Sequence, residues 1–362
     1  MAVILKTKLT AQEANRYSRH LVLKDFGLEN QLKLSNAHVL VIGCGGLGSP
    51  VLLYLTAAGV GHIGIIENDV VDETNLQRQI LFDEAAVGQS KLDQAILRLQ
   101  AMNSGIHFTA YHERLSSSNA LEIFKDYDVI IDASDNFPTR YLVNDTCEIL
   151  NKPFVYGAIH QFEGQVAIFN WKGSATYRDL FPNPPALGLA PNCAEAGVLG
   201  VLPGIIGSIQ ASEAIKVITG IGRPLANQLF VMDTLTMVSR TLKIFKNPDR
   251  KPVAHLIDYD HFCGLVNFQT ITQVELADLK NYQLIDVRTE AEYTQQNIGS
   301  FNIPLADLQE KIHLIDPHKK IILHCQSGVR TQQAAVILAE SFDSSSLYLV
   351  QIISWKSLIL QK

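Results

Sequence analysis

Residues 38–59, HVLVIGCGGLGSPVLLYLTAAG, decide the fold of the first part of this chain. The run VLVI is short, apolar and rich in β-branched residues, which is typical of a buried parallel strand. Closely spaced glycines then predict a tight turn, and the apolar helix that follows is expected to end at Gly59. A strand, a glycine-rich turn and a helix in this order predict the first unit of a doubly wound, Rossmann-like α/β sheet.

Similar units continue on both sides of this stretch. HIGIIEND, from residue 62, and YDVIIDASDN, from residue 127, predict two more buried strands. Residues 10–34, residues 88–102 and the segment GIIGSIQASEAIKVITG predict helices. After residue 152 the pattern changes, because PFVYGAI, GQVAIFN and residues 228–246 predict strands of an antiparallel extension.

The glycine-rich turn predicts a nucleotide site. Gly43, Gly45 and Gly48 form the pattern G-x-G-x-x-G between the strand and the helix. Backbone N–H groups and the helix N-terminus bind phosphate at such a turn, where side chains would obstruct the approach. Glu67 ends the next strand about 20 residues further on, where it would accept a hydrogen bond from a ribose hydroxyl. The alternative is that the glycines serve only close packing of the strand against the helix.

Polar and charged residues near the predicted strand ends favour ATP over NAD or FAD. Phosphoryl chemistry on ATP needs cations against the triphosphate and a carboxylate for Mg²⁺, whereas a dehydrogenase needs neither. Each residue taken singly fits a solvated surface charge or a helix cap, but together they predict an ATP site. The residues are Asp69, Asn75, Arg78, Gln79, Lys91, Asp135 and Asn136.

Seven segments in roughly the first 245 residues resemble the MoeB/ThiF family of the ubiquitin-activating enzyme superfamily. They are RYSRH, GCGGLGSP, ETNLQRQ, VGQSKLD, DASDN, GAIHQFEGQV and NCAEAGVLGVLPGIIGSIQASEAIK. The resemblance implies an enzyme that adenylates the terminal glycine of a MoaD-like or ThiS-like sulfur carrier with ATP and Mg²⁺, releasing pyrophosphate.

The same resemblance implies roles for individual residues. Gly46 would lie in the phosphate loop, and Glu67 would take the ribose position, where the family usually has Asp. Asp135 would be the carboxylate for Mg²⁺ and catalysis. Arg19 would reach the ATP of a partner subunit, which implies a homodimer. The residues that would face the phosphates are Asn75, Arg78 and Lys91.

Cysteine is present at one position expected from the family and absent from four others. Cys193 follows a proline-rich loop and precedes an apolar helix, and a thiol at a helix N-terminus is the better nucleophile. In relatives the matching cysteine forms a covalent link with the activated carrier or a sulfur donor; the alternative is a small buried apolar residue. The family's structural Zn²⁺ needs two C-x-x-C pairs. Thr176 and Asp179, then Lys251 and Ala254, stand there instead, so no zinc is expected.

A second motif lies near the C-terminus, in KIILHCQSGVRTQQAAVILAE. The loop from Cys325 to Arg330 predicts a thiolate-stabilising or anion-binding turn between a strand and a helix. Cysteine phosphatases carry five residues in such a loop, but this chain has Gln, Ser, Gly and Val, as single-domain rhodaneses do. IDVRTEAEY and GSFNIP also resemble rhodanese motifs, so Cys325 would carry a persulfide. Asn297 in place of histidine, and the missing glycine pair before Trp355, depart from the rhodanese pattern.

The sequence therefore divides into an adenylating domain at residues 1–250, a linker at 251–268 and a rhodanese-like domain at 269–362. A net charge of -6 gives no basic excess for nucleic acid. The sequence has no run of 18 or more apolar residues, so no membrane span is expected. The start lacks the features of a signal peptide. Five scattered cysteines indicate reduced thiols. The prediction is a cytoplasmic protein.

Together the two domains suggest that a persulfide donor converts the activated carrier into a thiocarboxylate. Molybdopterin synthesis is favoured because the first domain is nearer to MoeB than to ThiF; thiamin synthesis and tRNA thiolation use the same chemistry and remain open. An NAD- or FAD-dependent oxidoreductase and a non-enzymatic scaffold that binds ubiquitin-like proteins are the alternatives.

Overall fold

The computed structural model describes residues 5–185, 197–264, 269–270, 282–297, 299–325, 329–339, 341–343 and 346–349. The chain divides near residue 259 into two compact units, each with its own sheet. Cys193 and Trp355 lie outside the described residues. The mixed α/β fold predicted from the sequence is confirmed.

Eight strands of the first unit form one sheet. They are β1 (His38–Ile42), β2 (His62–Ile66), β3 (His107–Tyr111), β4 (Val129–Asp132), β5 (Phe154–His160), β6 (Glu163–Phe169), β7 (Gln228–Asp233) and β8 (Val238–Lys243). Their order is β3-β2-β1-β4-β5-β6-β7-β8. The first five pair in parallel and the last three add antiparallel pairs, which confirms the predicted extension.

Helices cover the sheet and place the loops at its carboxyl edge. They are α1 (Ala11–Arg16), α2 (Ser18–Leu21), α3 (Gly27–Asn36), α4 (Gly48–Ala58), α5 (Lys91–Met102), α6 (Ala120–Phe124), α7 (Phe137–Ile149), α8 (Tyr177–Leu180) and α9 (Val201–Thr219). Residues 10–34, which were predicted to be helical, contain three short helices rather than one continuous helix. Thr10 starts α1 with a capping box, but Tyr17 leaves the helical conformation and the chain turns again before Gly27.

Helix α9 is the one described helix that is long and apolar enough to cross a membrane. It also carries the buried polar residues Gln210 and Glu213, and Glu213 pairs with Lys216 one turn away. A Cβ at Gly164 of β6 would lie 2.3 Å from the Ile206 side chain. The helix therefore packs directly on the sheet as a core helix of the first unit.

The second unit contains a smaller, parallel sheet. Its strands are β9 (Gln269–Thr270), β10 (Tyr282–Asp286), β11 (Phe301–Asn302), β12 (Lys320–His324) and β13 (Leu347–Leu349), in the order β11-β10-β12-β13-β9. The helices are α10 (Tyr259–Phe262), at the division between the units, α11 (Glu290–Gln295) and α12 (Val329–Ala339). The buried side chains of Ile285, Leu323 and Leu338 build its core, and β12 ends directly before Cys325.

Candidate active site

The turn between β1 and α4 leaves backbone N–H groups open to a ligand. Gly43 has a φ of 88°, and a Cβ at Gly48 would lie 2.1 Å from the Gly43 carbonyl oxygen, so the turn itself requires both glycines. At Gly45 a Cβ would meet nothing closer than the Gln79 side chain at 3.4 Å. Within the described residues, the N–H groups of Gly45 and Gly46 donate to no acceptor. They are therefore available to phosphate at the start of α4.

Glu67 is held in place beside this turn. Its Oε2 accepts hydrogen bonds from the Cys44 N–H at 3.2 Å and the Cys44 Sγ at 3.6 Å. Its Oε1 accepts from the N–H groups of Asn68 and Asp69 at 2.9 and 3.0 Å. Burial, with the neighbouring carboxylate, raises the pKa of the Cys44 thiol, so the thiol stays protonated as a donor. This fixed carboxylate fits the predicted ribose contact.

The segment after β2 places Arg78 and Gln79 at the glycine turn. The Arg78 Cγ lies 3.7 Å from the position of a Cβ on Gly46. Gln79 is buried, and its Oε1 has no hydrogen-bond partner. Because a buried acceptor without a donor is unfavourable, the site fits a ligand that donates there. The Asn75 side chain instead accepts a backbone N–H at 3.3 Å and closes the local turn.

Lys91 begins α5 and is a buried cation next to the same loop. Its side chain is 7% exposed, and its Nζ donates to the Asp69 carboxylate at 2.8 Å. The Asp69 side chain is 70% exposed, so the pair joins a desolvated ammonium to a solvated carboxylate. Such an ammonium can exchange its carboxylate partner for a phosphate without leaving its place.

Asp135 follows β4 at the same edge and is exposed. The Asn136 amide reaches it only at 3.5 Å, while the Asn136 Oδ1 accepts the Thr139 N–H at 3.0 Å. Asn136 is therefore the N-cap of α7. The carboxylate of Asp135 remains accessible, and its oxygens have the chemistry that Mg²⁺ prefers.

Sequence reasoning missed Arg140, which lies on the first turn of α7. Its guanidinium carbon is 5.6 Å from the ring centroid of Phe137 and 5.5 Å from that of Tyr156. Its Nη2 donates to the Ser134 carbonyl at 3.4 Å. Burial acts to lower the Arg140 pKa, but Tyr156 and Asp132 outweigh it and raise that pKa, so the side chain stays charged. Only the packing against β5 reveals this residue, because in sequence it is an ordinary helical arginine.

Two further residues, Arg19 and Cys193, were predicted to be catalytic. Arg19 on α2 is exposed, as its predicted role toward a partner subunit requires, but no partner chain is present. Cys193 falls outside the described residues, and its role stays a prediction.

Cys325 is buried at the end of β12 in the second unit. Arg330 on α12 forms a bidentate pair with Glu292, at 2.6 and 2.8 Å, and this pairing lowers the Glu292 pKa. Burial lowers the pKa of His324, next to Cys325, to about 4, so that imidazole is neutral at pH 7. Arg330, held by Glu292, is therefore a positively charged side chain near the thiol.

The positions expected for zinc ligands hold groups that do not fit zinc. Asp179 accepts hydrogen bonds from the Thr176 N–H and hydroxyl at 2.7 and 3.0 Å, which closes a capping box. Its other oxygen accepts from the Asn247 N–H at 3.1 Å and the Arg250 Nε at 3.2 Å. Within the described ranges no group of three or more metal-ligating side chains is found. The carboxylate is engaged with protein donors, and none of these groups is a thiolate.

The fold and the site define a doubly wound α/β protein with a glycine-rich phosphate turn, joined to a smaller parallel α/β unit with a Cys–Arg loop. Residues 17–253 match the ThiF family, and residues 272–353 match the rhodanese-like domain. The chain belongs to the ThiF family and carries a C-terminal rhodanese-like domain, which makes it an enzyme of the adenylyltransferase/sulfurtransferase class.

Several relatives share this organisation. A probable adenylyltransferase/sulfurtransferase MoeZ of Mycobacterium tuberculosis is 43% identical, over 96% of this chain and 94% of that protein. A sulfur carrier protein adenylyltransferase of Thermus thermophilus is 50% identical, over 71% of this chain and 98% of that protein. Among solved structures, E. coli MccB matches with a TM-score of 0.59 at 22% identity, over 68% of this chain and 75% of that one. The structural match supports the fold alone.

Proposed function

We propose that this enzyme adenylates the C-terminal carboxylate of a small ubiquitin-like sulfur carrier, and that its rhodanese-like unit supplies sulfur to give a thiocarboxylate. Support comes from the Thermus thermophilus relative, whose name states action on a sulfur carrier protein. It also comes from the M. tuberculosis relative, whose name contains both activities and which matches this chain over nearly its whole length.

The observation that carries the proposal is the meeting of three kinds of group at one sheet edge. Open N–H groups at Gly45 and Gly46 follow β1, the buried ammonium of Lys91 follows β2, and the exposed carboxylate of Asp135 follows β4. In the step, a carrier carboxylate oxygen bonds to the α-phosphorus of ATP. The bond from that phosphorus to the bridging oxygen breaks, and pyrophosphate leaves with its electron pair.

This chemistry needs positioning and charge neutralisation rather than a base, because the nucleophile is already a carboxylate. Lys91 and Arg78 would neutralise charge on the phosphates, and the turn would hold them. Asp135 would hold Mg²⁺, which supplies further neutralisation when bound. Zinc has no part in this account, because the residues at its expected positions do not fit it.

The sulfur step follows on the acyl-adenylate. The terminal sulfur of a persulfide on Cys325 would bond to the acyl carbon, and AMP would leave. A thiol, for which Cys193 is the candidate within this chain, would then attack the Cys325 sulfur of the resulting acyl disulfide. The S–S bond of the acyl disulfide breaks, the thiocarboxylate leaves, and a Cys193–Cys325 disulfide remains for an external thiol to reduce. A homodimer is part of the proposal, with Arg19 acting on the partner's ATP.

We propose that the carrier belongs to molybdopterin synthesis, with thiamin synthesis and tRNA thiolation as the alternatives. Exchange assays with a carrier from each pathway distinguish them, since the true carrier should give the highest kcat/KM. An enzyme that prefers a thiamin or tRNA carrier would overturn this assignment while leaving the chemistry in place.

The direct test is carrier-dependent exchange of labelled pyrophosphate into ATP. Asp135→Asn should reduce exchange by about 10²-fold or more, because a neutral amide neither holds Mg²⁺ nor keeps its charge. Asp83→Asn, at an exposed position whose side chain makes no cap hydrogen bond, is the matched control and should behave as wild type. If exchange by the wild type does not depend on any carrier, the proposal is wrong. If Asp135→Asn shows near-normal exchange, Asp135 does not have the role proposed for it.

A further inference from the structure

Arg140 is a partly desolvated cation whose hydrogen-bonding capacity is largely unused. A guanidinium carries five N–H donors. Within the described residues, Arg140 makes one hydrogen bond, the 3.4 Å contact from Nη2 to the Ser134 carbonyl. Its Nε is buried and has no acceptor. The rings of Phe137 and Tyr156 hold the group but accept no strong hydrogen bond.

Other arginines near α7 form ion pairs at hydrogen-bond distance, and Arg140 does not, although the nearby Asp132 acts on its charge. Arg178 binds the Asp145 carboxylate through two hydrogen bonds of 2.7 and 2.8 Å, and Arg250 binds Glu148 at 2.9 Å. Across the described part of the chain, no carboxylate lies within ion-pair distance of Arg140, and the buried Asp132 has an oxygen, Oδ2, without a partner. Leaving donors of a cation unsatisfied is costly, so the arrangement is that of a receptor for an anion.

The sheet order separates this receptor from the groups that would hold the triphosphate. The sequence β2-β1-β4-β5 runs across the carboxyl edge. Lys91 and Arg78 follow β2, the glycine turn follows β1, and Asp135 follows β4. Arg140 packs on Tyr156 of β5. Asp135 therefore lies between the phosphate cations on one side and Arg140 on the other.

We infer that Arg140 binds the C-terminal carboxylate of the carrier and presents it to the α-phosphate. The inference rests on the proposed function and names the residue that receives its second substrate. A planar guanidinium and a carboxylate form short, charge-assisted hydrogen bonds. Holding one carboxylate oxygen leaves the other to form the bond to phosphorus. The positive charge also offsets the repulsion between the incoming carboxylate and the triphosphate.

The test compares the free-acid carrier with the same carrier ending in a C-terminal amide, by binding measurements in the presence of a non-hydrolysable ATP analogue. Wild type should bind the acid about 30-fold more tightly than the amide, as expected for a charge-assisted hydrogen bond. Arg140→Gln should remove most of that difference. Arg140→Lys, which keeps the charge but loses the planar fork, should retain part of it. Arg98→Gln, at an exposed position of α5, is the control and should keep all of it.

Exchange kinetics supply the second readout. In Arg140→Gln, kcat/KM for the carrier should fall by about 30-fold, while the affinity for ATP stays within about twofold of wild type. If Arg140→Gln does not fold, Arg140→Lys carries both measurements. The inference is overturned if Arg140→Gln or Arg140→Lys keeps the full preference for the acid over the amide. It is also overturned if the variants lose affinity for ATP rather than for the carrier. If pyrophosphate exchange by the wild type does not depend on the carrier, the proposed function itself is wrong. That outcome is distinct from a failure of the inference about Arg140.

Discussion

Lys91 illustrates how a single residue can prepare the site for ATP. Its ammonium is desolvated, and in the absence of nucleotide the surface carboxylate of Asp69 balances its charge. A triphosphate can take over that balance. The stability of the ATP-free protein should therefore depend on Asp69 more than the stability of the ATP complex does.

Asp69→Asn should lower the stability of the ATP-free protein by about 1 kcal/mol, or about 3 °C in Tm, because it leaves the buried Lys91 without its carboxylate. Saturating ATP should then raise the Tm by more in the variant than in wild type, as measured by thermal unfolding. Asp93→Asn, which alters another exposed carboxylate near the start of α5, is the comparison. A smaller ATP-induced rise in Asp69→Asn would show that Asp69 itself contacts the nucleotide.

Cys325 should matter to sulfur transfer and not to adenylation, because the two steps use groups on different units. Cys325→Ala is expected to abolish thiosulfate-dependent cyanide sulfuration and to leave pyrophosphate exchange at the wild-type rate. Cys263→Ala should retain both activities. Sulfur transfer that persists without Cys325 would move the reactive sulfur elsewhere.

Residue roles were predictable where a local pattern determines them. The glycine turn, Glu67, Lys91 and Asp135 follow from spacing and from their positions at strand ends. Arg140 was not predictable, because its lack of a partner depends on which side chains from β5 and α7 surround it. The helix cap is also a local feature, but it is Asn136 and not Asp135, for which the sequence had offered a cap as the alternative.

At the scale of elements, a polar network fastens α7, α8 and the segment after β8 to one another. Asp179 on α8 binds Arg250, and Arg250 binds Glu148 on α7. Tyr259 donates to Asp145 at 2.7 Å, so the chain is anchored to the first unit up to that residue. The network includes Asp179, one of the positions at which the sequence analysis looked for zinc ligands, and hydrogen bonds and ion pairs to protein groups engage that carboxylate.

Arg250→Ala should destabilise the first unit by about 3 kcal/mol, because it leaves two largely buried carboxylates without their arginine partner. Arg240→Ala, which removes an exposed ion pair at 3.6 Å, should cost less than about 1 kcal/mol. Chemical denaturation followed by far-UV circular dichroism measures both. Equal effects of the two substitutions would show that the network does not hold these elements. Treatment with a chelator should change neither protein, and a loss of stability would reveal a metal.

The network also predicts a response to acid. Burial acts to raise the Asp179 pKa, but backbone hydrogen bonds from Thr176 and Asn247, with Arg250 nearby, outweigh it and lower that pKa. A lowered carboxyl pKa stabilises the fold above the unfolded value of about 4, and the contribution is lost as pH falls through the folded value. Asp179→Asn should therefore show a smaller loss of stability than wild type below about pH 4; a parallel loss would contradict the assignment.

Elements with a clear apolar pattern in the sequence were predicted correctly, and elements without such a pattern were not. Strands β1, β2 and β4 are buried apolar runs, and their pattern suffices. Strand β3 is half exposed and carries no such run, so it was not predicted from the sequence. The first break in the predicted N-terminal helical region is at Tyr17, which turns its side chain into the core next to Asn103, a tertiary contact.

For the whole molecule, the proposed homodimer makes each ATP site from two chains. Arg19→Ala and Asp135→Ala should each be inactive in pyrophosphate exchange, but a mixture that exchanges subunits should regain partial activity, because one hybrid site then holds both intact residues. Subunit exchange is checked by differently tagged chains. Exchange of subunits without return of activity would place Arg19 and Asp135 in the same chain's site.

The central claim is that one chain activates a carrier carboxylate and then replaces its oxygen with sulfur. Mass spectrometry of a purified ubiquitin-like carrier ending in glycine, incubated with this enzyme, ATP, Mg²⁺, a persulfide donor and a thiol reductant, tests it most directly. The account predicts a carrier heavier by the exchange of one oxygen for one sulfur, only when ATP is present and only with Cys325 intact. A carrier of unchanged mass, under conditions in which pyrophosphate exchange proceeds, would contradict it.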